Sequence, residues 1–326
     1  MAPSQRVLRP RATQPASEAP VQPKAKRIKR VRTARSADPE QSDAAAYSLK
    51  LPLELILLIL KQVDSPRTLA DASRVCRTLQ LEAERLLYRE VYVGRVPHVR
   101  GLHRALTKAS RRASLVNVFK VNDNGRMTPV IPLVIEILLM LTKLEHLELN
   151  LLANHERPAI FTTVLRALAQ CTFKLKSFEG WVTYDGDFVH FLRRQTALES
   201  LYIQGLSTPA WKIPQDALPC LKYVQTYQEL FAHSICAPHA ITHLDLTLYG
   251  WDERDLNEFL RVVRHQLISL KCKRSSLEVR TPVWSLLSNT INCGLMPNLR
   301  YLEVEDGNDA SVCTHFPCHR IYFVFT

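Results

Sequence analysis

The chain of 326 residues is 46% apolar and 23% charged, enough to bury a sizeable core and too apolar for a wholly disordered polymer. Nine glycines, none before Gly94, leave no room for a phosphate-cradling loop and argue against nucleotide binding. The net charge of +12 is unevenly placed, because residues 1–46 hold ten Lys/Arg against four Asp/Glu. The rest is only mildly basic and lacks the clustered cationic face that nucleic acid requires. Its Arg111-Arg112 and Arg193-Arg194 pairs read as solvated helix faces.

Residues 1–46 are rich in Pro, Ala, Arg, Lys and Ser. With almost no large apolar side chains, such a segment cannot offset its ordering entropy and is expected to be disordered. Lys24, Lys26, Arg27, Lys29, Arg30 and Arg32 form a basic cluster of the nuclear-import type, or else a solvated tail with weak affinity for polyanions. No secretory signal is seen, and the eight cysteines are scattered without a Cys-x-x-Cys. A reducing compartment, nucleus and/or cytoplasm, with free thiols is the expectation.

At Leu51-Pro52-Leu53-Glu54 the character changes. Pro52 suits the first helical position and Glu54 the positive end of the helix dipole. The run Leu55 to Leu60 that follows is apolar on every side, so it must be covered on two sides, one of them by a partner. Ser65-Pro66 reads as the N-cap and first residue of a second helix carrying Leu69, Ala72, Val75, Cys76 and Leu79 at spacings of three and four. A third helix is expected from about Leu81 to Val91. Three such helices make a core that is marginal on its own.

Leu51-Pro52-x-Glu54-Leu55, Ile59-Leu60, Leu69, Val75-Cys76-Arg77 and Leu86-Leu87-Tyr88 together resemble an F-box motif over residues 51–91, as found in fungal-type F-box proteins. The resemblance implies docking to the Skp adaptor of a Skp–cullin–F-box ubiquitin ligase, through Leu51, Pro52, Leu55, Ile59, Val75, Cys76 and Leu79. Many F-boxes carry Trp shortly after the Val-Cys pair, where Leu79 stands in this chain, so aromatic area is lost there.

Further along, a pattern of apolar, two residues, apolar, one residue, apolar recurs. It is seen at Leu144/Leu147/Leu149, Leu198/Leu201/Ile203, Ile241/Leu244/Leu246 and Leu299/Leu302/Val304. Weaker copies stand at Leu175/Phe178/Gly180, Leu221/Val224/Thr226 and Leu267/Leu270/Cys272, with an earlier candidate at Leu115/Val118. Helix-like stretches such as Phe188, Phe191 and Leu192 lie between them. The pattern resembles leucine-rich repeats, although the asparagine usual after the strand is replaced by Leu152 and Leu206. The fold class expected is therefore α/β, a three-helix module followed by a solenoid with parallel strands inside and helices outside. A different α/β layering stays open.

Alternation along these strands places Trp181, Tyr202, Tyr223, Tyr227 and Tyr301 on the inner face among Glu148, Glu179, Asp245, Thr247, Lys271 and Glu303. Aromatics among mixed charges suit a polypeptide substrate better than a polyanion. The domain reading is 1–46 basic tail, 47–93 F-box, 94–310 repeat array and 311–326 an atypical or truncated end.

No nucleophile elbow, His-Glu-x-x-His or other catalytic constellation is present, so no enzyme and no cofactor are expected. Cys313, His315, Cys318 and His319 sit on one short stretch rather than on separated ligand pairs, which argues against zinc. The apolar runs Leu55–Leu60 and Val130–Leu141 fall short of the roughly 20 residues a membrane span needs. The function expected is a substrate-recognition adaptor of the ligase, the alternative a nuclear repeat scaffold acting without one.

Overall fold

The computed structural model describes residues 51–324, less segments 152–157, 182–185, 205–212, 249–252, 275–286, 288–295 and 307–318 and residues 124, 215, 228, 237 and 238. The import-type cluster at residues 24–32 and Cys313 to Cys318 lie outside the described residues. Residues Leu51–Thr326 form one compact unit.

Three helices open it: α1 (Leu53–Lys61), α2 (Pro66–Ala72) and α3 (Arg77–Arg89). Ser65 caps α2, its hydroxyl accepting from the Thr68 N–H at 3.3 Å, and Pro66 occupies the first turn. Two expectations are corrected here. The second helix stops at Ala72 rather than running to Leu79, because Cys76 is extended and starts α3. The third begins at Arg77, four residues early, and Val91 belongs to a strand.

That strand, β1 (Glu90–Val93), starts a ten-stranded sheet whose spatial order is the order of the chain. The others are β2 (Val118–Asp123), β3 (His146–Leu151), β4 (Ser177–Trp181), β5 (Ser200–Gln204), β6 (Tyr223–Thr226), β7 (His243–Leu248), β8 (Ser269–Arg274), β9 (Tyr301–Asp306) and β10 (His319–Val324). Neighbours from β1 to β9 are parallel, and β10 runs antiparallel to β9. Parallel neighbours require a crossover. The described helices that supply them are α4 (Val96–Lys108), α5 (Ile131–Met140), α6 (Pro158–Leu168), α7 (Gly186–Arg193), α8 (Glu229–Cys236) and α9 (Glu253–Val263). Helices α4 to α7 pack on one another in succession.

Mixed α/β architecture with a parallel sheet thus follows the sequence pattern. Strands β2 to β6 alternate between half-exposed and buried positions. Buried rows Phe119–Leu147–Phe178–Leu201–Val224–Leu244–Leu270–Leu302 and Val121–Leu149–Gly180–Ile203 run in register across the sheet. Gly180 has a packing reason: a Cβ there would stand 3.2 Å from both the Leu149 carbonyl oxygen and Phe178 Cζ. The space is taken by Phe178, whose ring centroid lies 5.5 Å from that of Phe191 and 5.9 Å from that of Phe188. After β2, buried Asp123 turns the chain, its Oδ1 accepting from the N–H groups of Arg126 and Met127 at 2.8 Å each.

Candidate partner and substrate surfaces

The core of the helical module is small. Leu60, Leu69 and Ala83 are buried, and Ile56, Val63, Ala72, Leu79, Leu86 and Leu87 pack partly against them. A core of this size does not hold three helices firmly by itself. The rest comes from a clamp to the following segment. Glu84 on α3 is buried, and its carboxylate accepts from Arg111 Nη2 at 2.6 Å, Arg112 Nη2 at 2.9 Å and Gln80 Nε2 at 3.1 Å. The two arginines stand on a 3-10 turn, Ser110–Leu115, just before β2. Arg112 also lies over the Tyr88 ring, 5.4 Å from its centroid. The Arg112 bond chiefly holds the Glu84 carboxyl below its ordinary value, against the opposing effect of burial. Arg111-Arg112 is therefore a structural anchor, not the solvated helix face expected. Its partner lies 27 and 28 residues earlier in the chain, too far for local spacing to reveal.

With one flank of α1 used by the module core, the other faces solvent. Leu55 is 46% and Ile59 56% exposed, and Leu51, Pro52, Val75 and Cys76 are exposed with them. Leu58, three residues from Leu55, extends this flank, and Leu53 and Leu81 are also exposed. Leu79 differs from the other expected docking residues, since it packs partly into the module's own core. Apolar side chains gathered on one exposed flank mark an interaction surface more than scattered ones do.

The module thus has the form of a helical docking element fixed to a mixed α/β body. An F-box-like family model matches residues 48–93, which cover α1 to α3 and β1. No curated protein matches the chain. F-box domains typically bind the Skp adaptor within cullin complexes, and the match points to a ligase-adaptor role in general.

The second surface is the open face of the sheet. Register aligns Lys120, Glu148, Glu179, Tyr202, Gln225, Asp245, Lys271 and Glu303 in one row. Lys120 meets Glu90 at 2.7 Å, Lys273 meets Glu305 at 3.2 Å, and Lys271 stands 3.8 Å from Asp245 and 3.6 Å from Glu303. Glu148 and Glu179 are adjacent in the row, and the Glu179 carboxyl is pushed up first by burial and then by Glu148. Tyr202 and Tyr227 join through their hydroxyls at 2.8 Å, and Gln204 Nε2 donates to Tyr227 at 3.3 Å. The Tyr223 hydroxyl donates to Gln225 at 3.0 Å.

The aromatic residues expected on this face, Trp181, Tyr202, Tyr223 and Tyr227, are half-buried there, and Tyr301 is exposed. One correction concerns β7. Asp245 and Thr247, expected to be exposed, are buried. Lys271 stands beside Asp245, and burial pushes the Asp245 carboxyl up despite that lysine.

No group of three or more His, Cys, Asp or Glu able to hold a metal exists among the described residues. Nor is any helix among them long and apolar enough to cross a membrane. Cys171, Cys236 and Cys272 are buried, and burial pushes the Cys171 thiol up to about 12 and the other two up as well. Thiols so placed are poor nucleophiles.

Proposed function

We propose that this protein is the substrate-recognition adaptor of a Skp–cullin–F-box ubiquitin ligase. The exposed flank of α1, with Val75 and Cys76, docks the Skp adaptor. The sheet, read as a leucine-rich-repeat-like receptor, holds a polypeptide substrate on its open face. The chain itself is not an enzyme on this reading, and ubiquitin transfer belongs to the partner complex. The basic cluster at residues 24–32 would direct it to the nucleus.

One observation carries the reading: inside the segment matched by the F-box-like model, α1 is apolar on two sides and its own fold covers only one. Burying a single leucine is worth about 1.5–3 kcal/mol, so a flank of several leucines suffices for a stable interface. The test is capture of purified Skp adaptor by the full chain and by a Leu55→Asp/Ile59→Asp variant. Wild-type capture that disappears in the variant, with an unchanged melting temperature, supports the proposal. Undiminished capture, or none by the wild type, overturns it.

A further inference from the structure

Four side chains on segments that lead into strands reach back to the segment before the preceding strand. Gln195, buried before β5, accepts from the Leu175 N–H at 2.9 Å. Gln266 Nε2 donates to the Cys236 carbonyl at 3.1 Å, and Asn298 Nδ2 to the His265 carbonyl at 2.6 Å. Between β6 and β7 the same place is held by His239, whose Nε2 lies 2.5 Å from the Ala217 carbonyl oxygen. Three of these stitches are carboxamides, which do not titrate. The fourth is an imidazole, the side chain whose charge changes near neutrality.

His239 is buried and makes a second contact, for its Nδ1 lies 2.6 Å from the Ile235 carbonyl oxygen in the last turn of α8. A neutral imidazole donates from one nitrogen and keeps a lone pair on the other. Carbonyl oxygens face both nitrogens here. The neutral ring therefore sets a lone pair against an oxygen, and only the doubly protonated ring donates twice. The Ile235 carbonyl belongs to the negative end of its helix, which favours that cation. The Ala217 carbonyl precedes Leu218, which is buried at φ 55°, a left-handed conformation that side chains disfavour. The tie thus steadies a corner that the backbone alone would not prefer. Titratable groups on the flanking elements are Asp216, Cys220 and Lys222 before β6, His233 and Cys236 on α8, and His243 on β7. Among the described residues the ring bonds to none of them, only to the two carbonyls.

We propose that His239 makes the joint between β6 and β7 sensitive to pH. With both ring nitrogens protonated, it ties the end of α8 to the corner before β6. When one proton leaves, one tie is lost and a repelling lone pair takes its place. Burial opposes the cation and the two carbonyls favour it, so the proton is not locked in place. The joint flanks β6, which with the residue after it sets Tyr223 and Tyr227 on the open face. That part of the face is held more firmly in acid than in base, whatever the face binds.

The test uses the full chain. Hydrogen exchange is read by peptide mass spectrometry at about pH 5.5 and about pH 8.5, on either side of the ordinary histidine value near 6.5, and corrected for the intrinsic rate. In the wild type, peptides covering α8 and the segment before β6 should open roughly tenfold more at the alkaline end, as the loss of one charge-assisted hydrogen bond implies. Peptides across the Gln195 joint, between β4 and β5, should not follow. His239→Gln, which cannot change charge, should flatten the response at α8. The wild type alone supplies a second readout in nitrogen NMR of its histidine rings. The ring protected from solvent exchange should carry two protons in acid and one in base. Exchange at α8 that ignores pH, that changes equally at the Gln195 joint, or that keeps its response in His239→Gln overturns the proposal. So does a protected ring that is singly protonated in acid.

Discussion

Arg112 Nη2 lies 2.9 Å from the Glu84 carboxylate, which is buried although the two residues belong to different parts of the unit. Breaking a buried pair leaves an uncompensated charge, at about 3–5 kcal/mol, and the partial exposure of both arginines lowers the figure here. Glu84→Gln should therefore cost about 2–3 kcal/mol in urea unfolding. The dependence on pH has a definite sign. The folded-state value for Glu84 is depressed, so its contribution is complete above the ordinary 4.5 and is lost as pH falls below it towards the folded value. The stability gap between wild type and Glu84→Gln should close in acid, and a gap that stays constant with pH would refute the clamp.

Leu79 and Val75 should separate stability from docking. Leu79→Ala removes part of the module's small core and should cost about 2–3 kcal/mol on thermal melting. Val75, 71% exposed, should tolerate Ala within about 0.5 kcal/mol yet weaken adaptor binding measured by calorimetry.

Gly180 occupies a row otherwise filled by Leu149 and Ile203. Restoring the repeat pattern with Gly180→Leu should destabilise rather than improve the protein, by about 1–3 kcal/mol, because Phe178 and the Leu149 carbonyl already fill the site. A rise in melting temperature would contradict this packing.

Among the cysteines of the described residues, thiol labelling of the native protein, read by peptide mass mapping, should modify Cys76 and Cys220 first. Cys171, Cys236 and Cys272 should react only after unfolding, since burial disfavours their thiolates. Early labelling of Cys272 would show that β8 opens readily.

The hydroxyl pair of Tyr202 and Tyr227 should contribute about 1 kcal/mol, removable by Tyr202→Phe. Burial, then Tyr227, pushes the Tyr202 phenol well above its ordinary 10.0. A phenol held neutral in this way contributes stability below that ordinary value and loses it as pH rises above it. Wild type should lose its margin over Tyr202→Phe in alkaline urea melts.

The elements that could be read from the chain are those with a local signature. Leu51-Pro52 followed by the apolar run Leu55 to Leu60 announces α1, of which the structure covers one flank and leaves the other exposed. Strands such as β3, β5, β7 and β9 declare themselves through apolar residues at the first, fourth and sixth positions of a pattern that starts two residues before each strand. Glu90 to Val93 gave no such signal, because four residues directly after a helix are too few to show alternation. The break between α2 and α3 was hidden because Val75, Cys76 and Leu79 keep helical spacing across a non-helical Cys76. The surroundings of Arg111, Arg112 and Asp245 escape the local sequence for a shared reason. Their environments are set by Glu84 and Lys271, residues far off in sequence, and no pattern within a short window reports such meetings.

The outer flank of α1 has a bearing on how much of this protein a cell can keep. If this flank docks the Skp adaptor as proposed, any copy made in excess of that adaptor carries bare leucines into a crowded solution, where chaperones and proteases seek just such stretches. Supply of the partner would then set the ceiling on the standing population of the chain.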